Sequence, residues 1–290
     1  MLNLYESVRS NPSFNKLEIG DLLFAEYTCP VDEARLGQWS HSDYLVHVLS
    51  GRKTWHTSDG AWALEAGDTV FFRKGAAVIE QYFDVEFCLL LFFIPDSLVR
   101  STVREFADRW TGNPAAEPPL QAAARVNNDT ALTAFFESMR TYFAGREKPS
   151  EPLLRLKVKE LILSILTGRS NRALAAYFQS LAHRDAPAVA EIMEANFRFH
   201  LSLDEYAALC HRSLSSFKRD FRTHFHETPG RWLLRRRLDY AAALLQATTA
   251  RITEIMLESG FEDVAHFSRV FKHRFRVSPS AYRHAGSAPA

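Results

Sequence analysis

The sequence predicts an α+β chain: a strand-rich N-terminal part, a helical middle and an all-α C-terminal domain. Three observations carry this prediction. Up to residue 95, short apolar runs alternate with turn residues at close spacing, the pattern of a sandwich or small barrel. From Pro95 onward apolar residues recur at helical spacing instead. Near the C-terminus a helix, turn and basic helix occur twice, the first helices starting at Leu203 and Ile252, 49 residues apart.

Leu22–Tyr27, Tyr44–Leu49, Lys53–Thr57, Ala61–Leu64, Thr69–Phe72, Ala77–Phe83 and Val85–Ile94 read as strands. Ser-Gly at 50–51, Asp-Gly at 59–60, Ala-Gly-Asp at 66–68 and Lys-Gly at 74–75 turn the chain between them. The run from Val85 to Ile94 is apolar on both faces, as a central buried strand requires. Trp39, Tyr44, Trp55, Trp62, Phe72 and Tyr82 either line a small-molecule cavity or fill the core; both readings stay open.

After Pro95, a helix is predicted over Ser97–Trp110, with Leu98, Val99, Val103, Phe106 and Trp110 on one side and Asp96 or Ser97 as its cap. The segment TGNPAAEPPL is a loop. Asp129–Ala144 is a second helix, and Pro152–Thr167 a third. In the third, Leu153, Leu156, Leu161, Leu163 and Leu166 are too many for one stripe, so burial on more than one side is expected. Breaks fall at 168–171 and 183–187, the second being the predicted domain boundary. The domains read as 1–95, 96–187 and 188–286, and 290 residues suffice for separate cores.

In the last domain, Val189–Phe199 gives a helix with Ile192, Met193 and Phe197 inward. Ser202-x-x-Glu205 is a capping box opening LDEYAALC, His211-Arg212-Ser213 is a turn, and LSSFKRDFRTHF buries Leu214, Phe217, Phe221 and Phe225. A long helix, WLLRRRLDYAAALLQAT, carries the triplet Arg235–Arg237. Three adjacent helix positions cannot share one face, so one or two of these arginines are expected to be structural. Gly260-Phe261 then turns the chain into a helix whose apolar side is Val264, Phe267, Val270, Phe271 and Phe275. Its other sides hold His266, Ser268, Arg269, Lys272, His273, Arg274 and Arg276. Helix, turn and basic helix form a helix-turn-helix unit, whose second helix enters the major groove of DNA. One copy could be an ordinary amphipathic pair with a solvated basic face. Two copies, at about 203–224 and 252–275, argue against that.

The pattern GF-x5-FSRVFK-x2-F-x2-SP-x2-YR resembles the C-terminal signature of the AraC/XylS family of bacterial transcription regulators. Gly260, Phe261, Phe267, Ser268, Phe271, Lys272, Phe275, Pro279, Tyr282 and Arg283 match it. Arg276 and His226 stand where the family prefers Gly, and Met256 where a small Ala is usual. The resemblance implies that the long helix links two helix-turn-helix units side by side on one DNA face. It assigns base reading to Ser215, Lys218 and Arg219 in the first unit and to Val264, Ala265, His266 and Arg269 in the second. Ser213, Ser216, Arg222, Ser268 and Lys272 are implied phosphate contacts. The order LVHVLSGRKTW, LEAGDTVFFRKGAAV resembles the cupin-like barrel found at the N-terminus of many such regulators, and the helices after it often form a dimer interface. LKVKELILSIL followed by LSSFKRDF is also similar to activators of type III secretion genes, some of which answer to a protein partner instead of a small molecule.

These resemblances imply a cytoplasmic, homodimeric activator that binds double-stranded promoter DNA and recruits RNA polymerase, controlled through its N-terminal domain by a small molecule. Control by a protein partner, or repression, is the alternative. Charge distribution agrees with a DNA partner: from Ala190 onward 15 Lys and Arg face 11 Asp and Glu, against 20 and 23 before it. A metal-dependent cupin enzyme is the remote alternative. His41, His47 and His56 show no His-x-His pair, so no metal, cofactor or catalytic residue is expected. Cys29, Cys88 and Cys210 are scattered and read as cytosolic packing thiols. No signal peptide or membrane span is expected.

Overall fold

A computed structural model describes residues 1–28, 33–83, 85–107, 119–145, 147–182 and 188–286. The chain divides into two compact units, Met1–Pro187 and Ala188–Ala290. The sheets and the helices of 96–187 belong to the first unit together. Among the described residues, no helix is long and apolar enough to cross a membrane.

Unit 1 is a cupin-like double sheet. One sheet has the order β1 (Leu2–Asn3), β4 (Arg35–Ser40), β9 (Gly75–Gln81), β6 (Arg52–Thr57), β7 (Gly60–Glu65). The other runs β11 (Ala123–Arg125), β8 (Thr69–Phe72), β5 (Asp43–Ser50), β10 (Cys88–Ile94), β3 (Leu22–Thr28), β2 (Asn15–Ile19). A short helix, α1 (Leu4–Ser10), follows β1.

Strand alternation explains how one sheet serves two cores. Leu23, Val46, Phe72, Leu91 and Phe93 point between the sheets, with Trp55, Leu64 and Ile79 of the opposite sheet. Phe24, Leu45, Phe71, Leu90 and Phe92 point outward into a second core built with the helices. β10 pairs with both β3 and β5 and is buried on both faces, as its composition predicts. It begins at Cys88, however: Phe87 turns inward, while Val85 is 56% exposed and Phe83 61%. β9 likewise stops at Gln81, because the chain must leave the sheet to reverse. The sequence did not reveal α1, β1, β2, β4 or β11, which are short or lack clean alternation.

The outer core is closed by α2 (Asp96–Glu105), α3 (Thr130–Ala144), α4 (Glu151–Thr167) and α5 (Arg172–Leu181), the last not predicted. Trp110 lies outside the described residues, as do Cys29 and the 183–187 break. Pro95, not Asp96 or Ser97, is the N-cap of α2 and makes no side-chain cap bond. Asp96 instead receives the buried Lys74 ammonium at 2.6 Å. Beside it Asp43 accepts from the Lys74 backbone N–H and from the Tyr177 hydroxyl, both at 2.7 Å, tying α5 and α2 to the sheet. Burial pushes the Asp43 carboxyl above the usual range.

α4 corrects the expectation of burial on several sides. Leu154, Val158, Leu161, Ile162, Ile165 and Leu166 are buried, but Leu156 is 61% exposed and Leu153 38%.

Unit 2 is all helical: α6 (Val189–Asn196), α7 (Leu203–Leu209), α8 (Leu214–Phe225), α9 (Pro229–Ala247), α10 (Ile252–Glu258), α11 (Val264–Phe275) and α12 (Pro279–Gly286). α7 opens with the predicted capping box: Ser202 Oγ accepts from Glu205 N–H at 3.2 Å, and Glu205 accepts from Ser202 N–H at 2.6 Å.

Candidate nucleic-acid interface

The duplication is visible in the aromatic packing. Phe217, Phe221 and Phe225 descend α8, and Phe225 meets Trp232 of α9 at 5.3 Å. Fifty positions later Phe267, Phe271 and Phe275 descend α11, and Phe275 meets Tyr282 of α12 at 5.1 Å. Each helix is therefore pinned by its apolar side, and its opposite side is left to solvent. Phe217, Phe221, Phe267 and Phe271 are fully buried. Leu214, Phe225, Val270 and Phe275 are only half-buried, and Val264 is 50% exposed, outside the stripe.

Ser215, Lys218, Arg219 and Arg222 lie exposed on α8, as do Val264, Ala265, His266, Arg269 and Lys272 on α11. Ser213 is the N-cap of α8, its Oγ accepting from Ser216 N–H at 3.3 Å, which leaves its own hydroxyl proton free to donate. Ser216 and Ser268 are half-buried. Ser216 Oγ donates to Asp220 at 3.4 Å and accepts from Arg219 at 3.2 Å. Asp220 also holds Arg212 at 2.5 Å, so this carboxylate steadies the start of α8. On α11, Asp263 caps the helix by accepting from His266 N–H, and Arg269 lies 3.3 Å from His266 Nδ1. The sequence reading missed the roles of Asp220 and Asp263; the latter was legible as an N-cap acid ahead of an apolar-periodic run.

All three arginines of the triplet are structural, not one or two. Arg235 pairs with Glu227 at 2.6 Å, and Arg236 with Glu194 at 2.9 Å while lying over the Phe197 ring. Arg237 donates to the carbonyls of Phe197 at 2.6 Å and Phe199 at 2.8 Å. Asp239 principally binds Arg274 of α11 at 2.5 Å and stands 3.9 Å from Arg235. Arg274 is thus held by a carboxylate of α9. No local spacing could have shown a partner 35 residues away.

Cys210 is buried behind α8, and that burial pushes its thiol up to about 12, the behaviour of a packing residue. The barrel histidines diverge: His47 stacks on Phe136 at 4.1 Å, His56 meets Glu80 at 2.9 Å, and His41 lies 4.8 Å from Tyr5.

Residues 43–177 match the ExsA N-terminal regulatory domain, and residues 206–285 match a helix-turn-helix domain. The virulence regulon transcriptional activator VirF of Yersinia enterocolitica is 24% identical over 242 residues, covering 83% of this chain and 89% of VirF. The HTH-type transcriptional regulator ExsA of Pseudomonas aeruginosa is 21% identical over 236 residues, covering 81% of this chain and 84% of ExsA. The chain belongs to the AraC/XylS family of bacterial transcription regulators. A solved structure of ToxT from Vibrio cholerae aligns over 92% of this chain and 98% of its own, at 14% identity and TM-score 0.42. The N-terminal match covers LKVKELILSIL, the run whose resemblance lies with a narrower group within the AraC family.

Proposed function

We propose that this AraC-family regulator is a cytoplasmic activator whose α8 and α11 read two successive major grooves of promoter DNA, recruiting RNA polymerase there. The observation that carries this is the matched outer face of the two helices, exposed but for the half-buried Ser268. Ser215, Lys218, Arg219 and Arg222 on α8 recur fifty positions on as Ala265, Ser268, Arg269 and Lys272. Arg219 and Arg269 suit bidentate reading of guanine, Val264 and Ala265 suit a thymine methyl, and Lys218 and His266 complete the base-facing group. Ser213, Ser216, Arg222, Ser268 and Lys272 set register on phosphates.

Arg219→Ala and Arg269→Ala are each expected to weaken specific binding by roughly 1–3 kcal/mol and to relax preference at one base pair. A gel-shift titration on the native promoter checks this, and unchanged affinity for both would remove the assigned contacts. Lys272→Ala should weaken specific and non-specific DNA about equally, lowering the slope of log K against log salt by about 0.9. A loss confined to the specific site would contradict its phosphate role.

For the input signal, the cavity between the sheets favours the protein-partner alternative over a small molecule. Lined by Tyr44, Lys53, Trp55 and Leu91 among others, it measures about 30 Å³, whereas small-molecule sites run to several hundred. Exposed Leu153 and Leu156 on α4 support a homodimer contact there.

A further inference from the structure

Both recognition helices end on a residue that should not be there. α8 closes on His226 at φ 57, ψ 18, and α11 on Arg276 at φ 67, ψ −3, each in the left-handed region. In each the cap N–H bonds the carbonyl four residues back, Arg222 at 2.9 Å and Lys272 at 2.8 Å, so the backbone needs this conformation to end the helix. Glycine adopts it without a Cβ penalty, whereas histidine and arginine are strained in it. The strain is repeated at equivalent positions fifty residues apart, and strain held in place at matched positions points to a use for the side chain.

Neither side chain is occupied. His226 and Arg276 are exposed, and neither has a side-chain hydrogen bond or ion pair among the described residues. Each continues a row in sequence. Lys218 and Arg222 stand four residues apart on α8 with His226 four further on at its cap, as do Ser268 and Lys272 on α11 with Arg276. The α8 row starts at the base-facing Lys218 and the α11 row beside the base-facing Arg269, and each ends at the helix C-terminus. When the N-terminal half of a recognition helix contacts base edges, the C-terminal end of such a helix can reach the sugar–phosphate backbone. A cation there also meets the negative end of the helix dipole, which offsets part of the strain.

We propose that His226 and Arg276 are backbone anchors, each gripping a DNA phosphate at the far end of its recognition helix, kept at the expense of stability. The assignment rests on the DNA-binding reading above. Four residues on from Arg222 and Lys272, they lengthen each phosphate row and fix the tilt of the helix in its groove.

The test uses the full chain with His226→Gly and Arg276→Gly. Both variants are expected to melt higher, by roughly 2–6 °C, since glycine relieves the strain. Both are expected to bind duplex DNA about 3- to 10-fold more weakly, on specific and random sequences alike. Arg276→Gly should lower the slope of log K against log salt by about 0.9, while Arg276→Lys should keep the wild-type slope. A scan of single methylphosphonate linkages along the target duplex locates the phosphate. At one position neutralisation should weaken wild-type binding and leave Arg276→Gly unaffected. If wild-type protein binds duplex DNA and Arg276→Gly matches it in affinity, salt slope and linkage scan, this assignment is overturned and the DNA-binding reading stands. If wild-type protein binds no duplex DNA, both fall.

Discussion

Gly260→Ala is expected to destabilise unit 2 by about 2–5 kcal/mol, the sum of roughly 1–2 for a left-handed residue and 1–3 for overpacking. Gly260 sits at φ 83 in the turn between α10 and α11. An added Cβ would lie 2.7 Å from the Arg198 carbonyl oxygen and 2.9 Å from Arg237 Nε. The first obstacle is backbone, so no rotamer change relieves it. Arg198 belongs to the α6–α7 connection, just ahead of the first helix-turn-helix unit, so the turn of the second unit packs against the chain that leads into the first. In thermal unfolding the variant should melt more than about 10 °C below wild type. Melting within a degree or two would show that this contact is not tight. The matching turn of the first unit uses His211 at φ 53, so a left-handed residue is required in both turns but close approach only in the second.

That contrast shows where the sequence was legible. The Gly-Phe turn, the phenylalanine ladders, the capping box and the long linker helix were readable because local chemistry dictates them: helical period, cap residues and left-handed turns. The strands of unit 1 were readable wherever alternation was clean, as in Thr69–Phe72, and were misplaced at Phe83 and Val85, where apolar composition continued past the end of the sheet. β1 and β11, two and three residues long, carry no periodicity to detect. In the interface, residue type and spacing placed Lys218, Arg219, Arg269 and Lys272 on solvent-facing sides. They could not distinguish them from Arg235, Arg236, Arg237 and Arg274, whose partners Glu227, Glu194, Phe197 and Asp239 are set by tertiary packing. A basic helix looks the same in sequence whether its arginines wait for a phosphate or already hold a carboxylate.

Arg237→Met is expected to destabilise unit 2 by about 2–4 kcal/mol: it removes two charge-assisted hydrogen bonds worth roughly 1.5–3 kcal/mol each, keeps most of the apolar stem and no longer buries a cation, which offsets part of the loss. Burial lowers the pKa of this guanidinium, with Tyr206 and Glu262 acting the other way, and a desolvated cation is kept only where its partners are well placed. Its partners are the carbonyls of Phe197 and Phe199, in the same connection that Gly260 abuts. Beside it Arg198 donates to Tyr240 at 2.8 Å, and Tyr240 donates to Glu258 at 2.9 Å, so α9 and α10 grip one loop from two sides. Arg237→Lys should recover less than half of the loss, since an ammonium cannot reproduce the two-pronged geometry. The functional consequence concerns spacing. On the proposed two-groove reading, holding the loop keeps α8 and α11 at a fixed separation, and inserting base pairs between the two half-sites is expected to penalise binding steeply. With Arg237→Met, measured well below its melting temperature, the protein is still folded but the grip is looser. Affinity for the native duplex should fall while the penalty for an inserted base pair shrinks, because a less preorganised pair of helices is less selective for distance. Equal penalties for the two proteins would mean that the spacing is set elsewhere, by the apolar packing of α9 alone.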